Sequence, residues 1–187
     1  MASILVVCTG NICRSPIAEG MIRAAVSRRS FGGDAVEVSS AGTNGWEGSE
    51  AMPESVQAAS ERGVDITGHI ARRLTDEMLD EADLVVCMAL DHREIIGAER
   101  SDVAARAFTL KELVRILEDL PGRSPNLQAR VKEADDLRRA GFEGNPMDED
   151  IADPLGFSIE TYRAVAWELE AWCERLVARL APSDGEV

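Results

Sequence analysis

Two short runs built almost entirely of apolar residues, Ile4-Leu5-Val6-Val7 and Leu84-Val85-Val86-Cys87-Met88, constrain this chain more than any other feature. Four or five such residues have strand length rather than helix length, and without alternation neither face can meet water. A strand buried on both faces needs helices above and below it. That is the layout of a parallel sheet built from βαβ crossovers.

The rest of the chain supplies those layers. Ile17 to Val26 has apolar residues at helical spacing, with Pro16 suited to the first turn. Ala35-Val36-Glu37-Val38-Ser39-Ser40 alternates like a strand and ends at Ala41-Gly42-Thr43. Pro53 to Arg62 reads as a helix stopped by Gly63, and Leu74 to Glu81 as a shorter one with Thr75 as its N-cap. A helix from Asp91, a fourth strand at Ala107-Phe108-Thr109-Leu110 and a helix from Lys111 to Leu120 follow. This alternation predicts an α/β fold: a three-layer sandwich with a four-stranded parallel doubly wound sheet flanked by helices.

Residues 1–187 read as a single domain with a helical insertion at about 121–150. Pro121-Gly122-Arg123-Ser124-Pro125 is turn-rich, Leu127, Val131, Ala134 and Leu137 form one stripe on a charged helix, and Gly141 to Asp150 is loop-like. The expectation for this segment is a solvated surface feature. A last helix from about Ser158 carries an apolar stripe from Ile159 to Leu180 and ends at Pro182.

The first apolar run opens into Cys8-Thr9-Gly10-Asn11-Ile12-Cys13-Arg14-Ser15-Pro16, a strand, a tight loop and a helix start. Unpaired N–H groups and the helix dipole make such a place an anion site, and a phosphate-sized oxyanion fits it. In doubly wound sheets ligands bind at the carboxyl ends of strands near a topological switch point, where this loop lies. Cys8 and Arg14 bracket the loop, so a thiolate can sit beneath the phosphate while a guanidinium grips two of its oxygens. The same donors favour the thiolate, with Ser15 contributing a hydroxyl.

These groups suit in-line displacement. Cys8 attacks phosphorus, a cysteinyl phosphate forms, and water later hydrolyses it, while Arg14 and the loop amides hold the equatorial oxygens. The scheme calls for no metal or other cofactor, but the leaving oxygen needs a proton. Asp153 is the candidate donor: Pro154 biases it away from helical geometry and Gly156 breaks the chain again, so its carboxyl stands on a constrained loop.

Composition serves mainly to exclude. A net charge of −14 argues against nucleic-acid and acidic-membrane partners. No stretch approaches the ~20 apolar residues of a membrane helix, and Met1-Ala2-Ser3 begins no basic leader, so a cytoplasmic protein, monomeric or a weak dimer, is expected. The 4 cysteines form neither a disulfide framework nor, without a C-x-x-C pair, a zinc site. Cys87 and Cys173 read as buried hydrophobes, and His69 and His92 as surface residues or residues standing behind the site.

On the nine-residue loop, Ser40-Ala41-Gly42-Thr43 and Asp153-Pro154, in that order, the chain resembles the low-molecular-weight protein tyrosine phosphatases, relatives of the thioredoxin-coupled arsenate reductases. The resemblance implies Cys8 as nucleophile, Arg14 as phosphate clamp and Asp153 as general acid and base. It makes Thr9, Gly10, Asn11, Ile12, Cys13, Arg14 and Ser15 the phosphate-binding loop, with Asn11 and Ser15 as its organisers. Cys13 matches the family's second thiol, which implies a Cys8–Cys13 disulfide under oxidation.

For the substrate pocket the resemblance points to Ile12, Trp46, Leu155 and Phe157. Ile12 is apolar, as in tyrosine-directed members, where members directed at arginine phosphate tend to carry threonine. Leu155 stands where the family commonly has an aromatic residue, and Phe157, two residues on, can replace that ring. The reading is therefore a metal-independent phosphatase acting on phosphotyrosine in phosphorylated protein substrates. A protein-arginine phosphatase is the nearest rival. An arsenate reductase ranks behind it, because Asp91-His92-Arg93-Glu94 offers no second relay thiol after Cys87. A non-enzymatic phosphoprotein-binding module could dispense with Cys8 and Asp153, and both are present.

Overall fold

In the computed structural model the first apolar run lies in the middle of the sheet. Strand β1 (Ala2–Cys8) pairs in parallel with β2 (Val36–Gly42) on one side and β3 (Leu84–Cys87) on the other, and β4 (Ala107–Thr109) completes the order β2-β1-β3-β4. The structure describes residues 1–29, 31, 35–122, 124–142, 144–145 and 147–181. Pro182, expected to end the last helix, falls outside them.

The continuous apolar runs are explained by burial on both faces. Ile4, Val6, Leu84, Val86 and Phe108 point into one core, and Leu5, Val7, Val85, Cys87 and Ala107 into another on the opposite face. Helices α1 (Arg14–Ser27), α2 (Pro53–Ser60), α5 (Leu110–Asp119) and α7 (Ile159–Leu180) cover the first face. Leu79 of α3 (Asp76–Glu81) and Ile96 of α4 (Leu90–Glu99) cover the second. Each fully buried Val, Ile or Leu contributes about 1.5–3 kcal/mol, so the sandwich is held chiefly by these two cores. The α/β three-layer expectation is met.

Local signals set the helix ends. Thr75 accepts from Met78 N at the start of α3, and Thr109 with Glu112 forms a capping box on α5. Helix α6 (Leu127–Arg139) corrects the expectation of a solvated segment: Leu127, Val131 and Ala134 of its stripe are buried in the principal core, with Leu137 partly so. Arg138 of α6 donates to Ala107 O at 2.8 Å and lies 4.0 Å from the Phe108 ring centroid, so the helix serves as a cover for edge strand β4.

Strand β1 lies between β2 and β3: the chain crosses from β1 to β2 on one side and then back past β1 to β3 on the other. This is the topological switch point. The loop after Cys8 therefore opens where the two crossovers diverge. Among the described residues no helix is long and apolar enough to cross a membrane.

Candidate active site

The loop from Cys8 to Arg14 is braced from outside at each carbonyl from residue 8 to residue 12. Cys8 O accepts from Thr43 N (2.9 Å), Thr9 O from Asn44 N (3.0 Å), Gly10 O from Trp46 N (3.0 Å) and Ile12 O from Met52 N (2.9 Å). Asn11 O lies 2.7 Å from His69 Nε2. A carbonyl only accepts, so that His69 nitrogen carries the proton. With the acceptors turned outward, the loop's donors face its interior. Helix α1 adds its first turn, which has no side-chain cap.

Close approach makes this bracing possible. A Cβ on Gly42 would stand 2.4 Å from Thr9 O and 3.0 Å from Asn11 N, so only glycine lets the end of β2 lie against the loop. The Ser40-Ala41-Gly42-Thr43 stretch thus has a steric reason. Asn11 adopts φ 57, a left-handed conformation that asparagine tolerates better than most residues.

Asn11 is also the hub of a buried hydrogen-bond chain. Its Oδ1 accepts from Arg72 N at 2.8 Å, which fixes the amide's orientation, and its Nδ2 donates to Ser15 Oγ and Ser40 Oγ, both at 2.8 Å. Ser40 Oγ in turn donates to Glu19 Oε2 at 2.5 Å. Ser15 Oγ lies 2.9 Å from Cys8 Sγ, to which it donates when the sulfur is ionised, and Asn11 N–H points at the same sulfur at 3.3 Å. Two donors therefore converge on Cys8, an arrangement that suits a thiolate.

Arg14 is 5% exposed and forks across the mouth of the loop. Its NH1 donates to Ile151 O at 3.0 Å, and its NH2 to Asp153 Oδ2 at 2.6 Å and Thr9 Oγ1 at 3.4 Å. Its Nε is buried with no protein partner among the described residues. A buried donor without a partner beside such a loop suits an oxyanion. Asp153 is held by that guanidinium and accepts from Leu155 N at 3.1 Å, the short turn that Asp-Pro was expected to make. The structure thus brings Cys8, the loop, Arg14 and Asp153 to one place.

Three exposed apolar side chains stand on the segments next to the loop and the acid. Trp46 is 50% exposed, and its ring lies against Gly10: a Cβ there would meet it at 3.6 Å and Ile12 Cγ1 at 3.3 Å. Leu155 is 40% and Phe157 66% exposed on the acid loop. Ile12 is buried. Cys13 turns inward, its Sγ 3.7 Å from the Tyr162 hydroxyl of α7, and burial pushes its thiol up to about 11. Cys87 and Cys173 are fully buried.

His92, expected from the sequence at the surface or behind the site, lies behind it. It is buried on α4, and its Nε2 lies 2.9 Å from Thr9 Oγ1, one hydroxyl away from Arg14. Burial, with the Arg14 charge nearby, pushes its pKa down to about 4, so the ring is neutral at ordinary pH. Nothing local in the sequence marks that contact, because it depends on β1 and β3 being neighbours. Among the described residues no group of three or more His, Cys, Asp or Glu is placed to hold a metal ion.

Comparison with known proteins gives a consistent picture. The family model for "Low molecular weight phosphotyrosine protein phosphatase" matches residues 3–120. A protein-arginine-phosphatase of Bacillus subtilis is 31% identical over 177 residues, covering 95% of each chain. The low molecular weight protein-tyrosine-phosphatase Etp of Escherichia coli is 42% identical over 106 residues, 57% of this chain and 67% of its own. Among solved structures, a low molecular weight protein tyrosine phosphatase from T. tengcongensis superposes with a TM-score of 0.72 at 33% identity, over 96% of this chain and 100% of that one.

Proposed function

The chain belongs to the low molecular weight phosphotyrosine protein phosphatase family, and from that premise we propose a protein phosphatase that hydrolyses phosphotyrosine through a cysteinyl phosphate on Cys8. The observation that supports the reading is the bracing of the loop: its five carbonyls from Cys8 to Ile12 are bonded from outside, while Asn11 N–H points at Cys8 Sγ and the start of α1 has no side-chain cap.

In the first step Cys8 attacks phosphorus in line with the leaving oxygen. Arg14 and the loop amides hold the equatorial oxygens as charge spreads over them. Asp153 donates its proton to the departing oxygen, a contribution typically worth 10²–10⁴-fold in rate. In the second step the Asp153 carboxylate takes a proton from water as it attacks the cysteinyl phosphate, and inorganic phosphate leaves. Trp46 forms one wall of the entrance with the buried Ile12 behind it, and Leu155 and Phe157 face an aryl group from the acid loop.

Ile12 favours phosphotyrosine, because it offers an aryl ring apolar contact and no hydrogen bond. A second reading, phosphoarginine in proteins, is favoured by one observation: two curated relatives whose sequences align along 95% of both chains are protein-arginine-phosphatases. Matched phosphotyrosine and phosphoarginine peptides separate the two. The first reading expects kcat/KM higher for phosphotyrosine by about tenfold or more, and Ile12→Thr to narrow that gap. A preference for phosphoarginine by the unaltered protein would replace the first reading with the second.

A further inference from the structure

The stretch Asp148-Glu149-Asp150-Ile151, which leads into the acid loop, meets a different part of the site's frame at each residue. Asp148 is paired with Lys111 and Arg115 of α5, each at 2.7 Å, and Lys111 is buried with Glu168 of α7 at 2.6 Å. Glu149, itself buried, accepts from the Thr109 hydroxyl at 2.7 Å and from Arg115 NH1 at 3.0 Å. Asp150 Oδ1 accepts from Leu90 N, the first residue of α4, at 2.8 Å. Ile151 N donates to Met88 O at 2.8 Å, and Ile151 O accepts from Arg14. Two residues later comes Asp153.

Three adjacent carboxylates repel one another, and a buried ammonium such as Lys111 is costly unless it is paired. They keep this course because each meets a cation or a donor on α5, on the end of β4 or on the start of α4. None of these partners is called for by the chemistry at phosphorus. What they share is that they pin the chain immediately before the acid, on the rigid carboxyl edge of the sheet.

We propose that Asp148, Glu149 and Asp150 are positioning residues that set Asp153 against the leaving oxygen and hold Ile151 O under the Arg14 guanidinium. The proposal rests on Asp153 being the proton donor. If the arm loosens, the carboxyl drifts, and a misplacement of about an ångström costs on the order of a hundredfold in a positioned reaction. That cost falls on substrates whose leaving group needs the proton. Esters of acidic phenols, which leave without it, are spared.

The test compares kcat/KM for phenyl phosphate and p-nitrophenyl phosphate in Asp148→Ala, Glu149→Ala, Glu149→Gln and Asp153→Asn, with unfolding by urea measured in parallel. Expected is a loss about tenfold greater on the phenyl ester than on the nitrophenyl ester in both alanine variants. Glu149→Gln, which keeps an acceptor for Thr109, restores most of it. In an Asp153→Asn background Glu149→Ala adds no further leaving-group dependence, since both act through one carboxyl. Equal losses on the two esters, tracking lost stability, would reduce the arm to a structural brace and overturn the proposal. Absence of leaving-group dependence in Asp153→Asn itself would overturn the assignment of the acid instead. Should Glu149→Ala not fold, Asp148→Ala carries the test alone, because its side chain is 48% exposed.

Discussion

Arg14 and Asp153 hold one another: NH2 of the guanidinium donates to Oδ2 of the carboxylate at 2.6 Å, with the arginine side chain buried and the aspartate's half-exposed. The phosphate clamp and the acid loop are thus one electrostatic unit. An oxyanion arriving in the loop competes with the carboxylate for the same guanidinium.

Removing that competitor strengthens anion binding even as it weakens catalysis. Asp153→Asn is expected to lower the inhibition constant of inorganic phosphate about three- to tenfold, the ~1 kcal/mol of a half-exposed ion pair. At the same time its kcat falls on substrates with poor leaving groups. Inhibition measured against an aryl phosphate checks both, and phosphate binding that is weakened in the variant contradicts the coupling.

His92 gives the site a pH signature in stability. Burial, then the nearby Arg14 charge, depresses its folded pKa from 6.5 to about 4. Between those values the unfolded chain binds a proton that the folded chain refuses, so this residue makes stability rise with pH across the window and fall as pH drops through it. His92→Gln should remove about 2–3 kcal/mol of the change in unfolding free energy between pH 4 and 7. Urea unfolding at several pH values measures it. A variant with the wild-type slope would show that the imidazole titrates freely.

Cys13 bears on oxidative inactivation. Peroxide converts the Cys8 thiolate to a sulfenic acid, and attack by the Cys13 thiolate on that sulfur forms a disulfide and expels hydroxide. Because burial pushes the Cys13 thiol up to about 11, its thiolate fraction grows about tenfold per pH unit below that value. Recovery of activity with dithiothreitol should be nearly complete in the wild type, much lower in Cys13→Ser, and better when oxidation is done at pH 9 than at pH 7. Equal recovery in the two proteins contradicts a role for Cys13.

The nucleophile loop was legible because its signals are local: an apolar run, then a cysteine, an arginine and a helix start within sixteen residues. The bracing was not. Thr43, Asn44, Trp46 and Met52 act through backbone N–H groups, which every non-proline residue carries, so no side-chain pattern announces them. His69 and His92 reach the loop from 58 and 83 residues away, through adjacency that only the folded sheet creates. The acidic arm looked like loop because its counter-charges lie on another helix. The α6 stripe was visible as a pattern, but a mostly charged helix gives no sign of the edge strand that it covers.

The most direct test of the account is to find where the phosphoryl group goes during turnover. Rapid quench of the protein with ³²P-labelled phosphotyrosine peptide in alkaline denaturant, followed by peptide mapping at alkaline pH, should place alkali-stable, acid-labile label on the peptide bearing Cys8. Asp153→Asn should accumulate more of it if water attack becomes slow, and Cys8→Ser should show no turnover. Label on any other residue, or turnover retained in Cys8→Ser, would contradict the account.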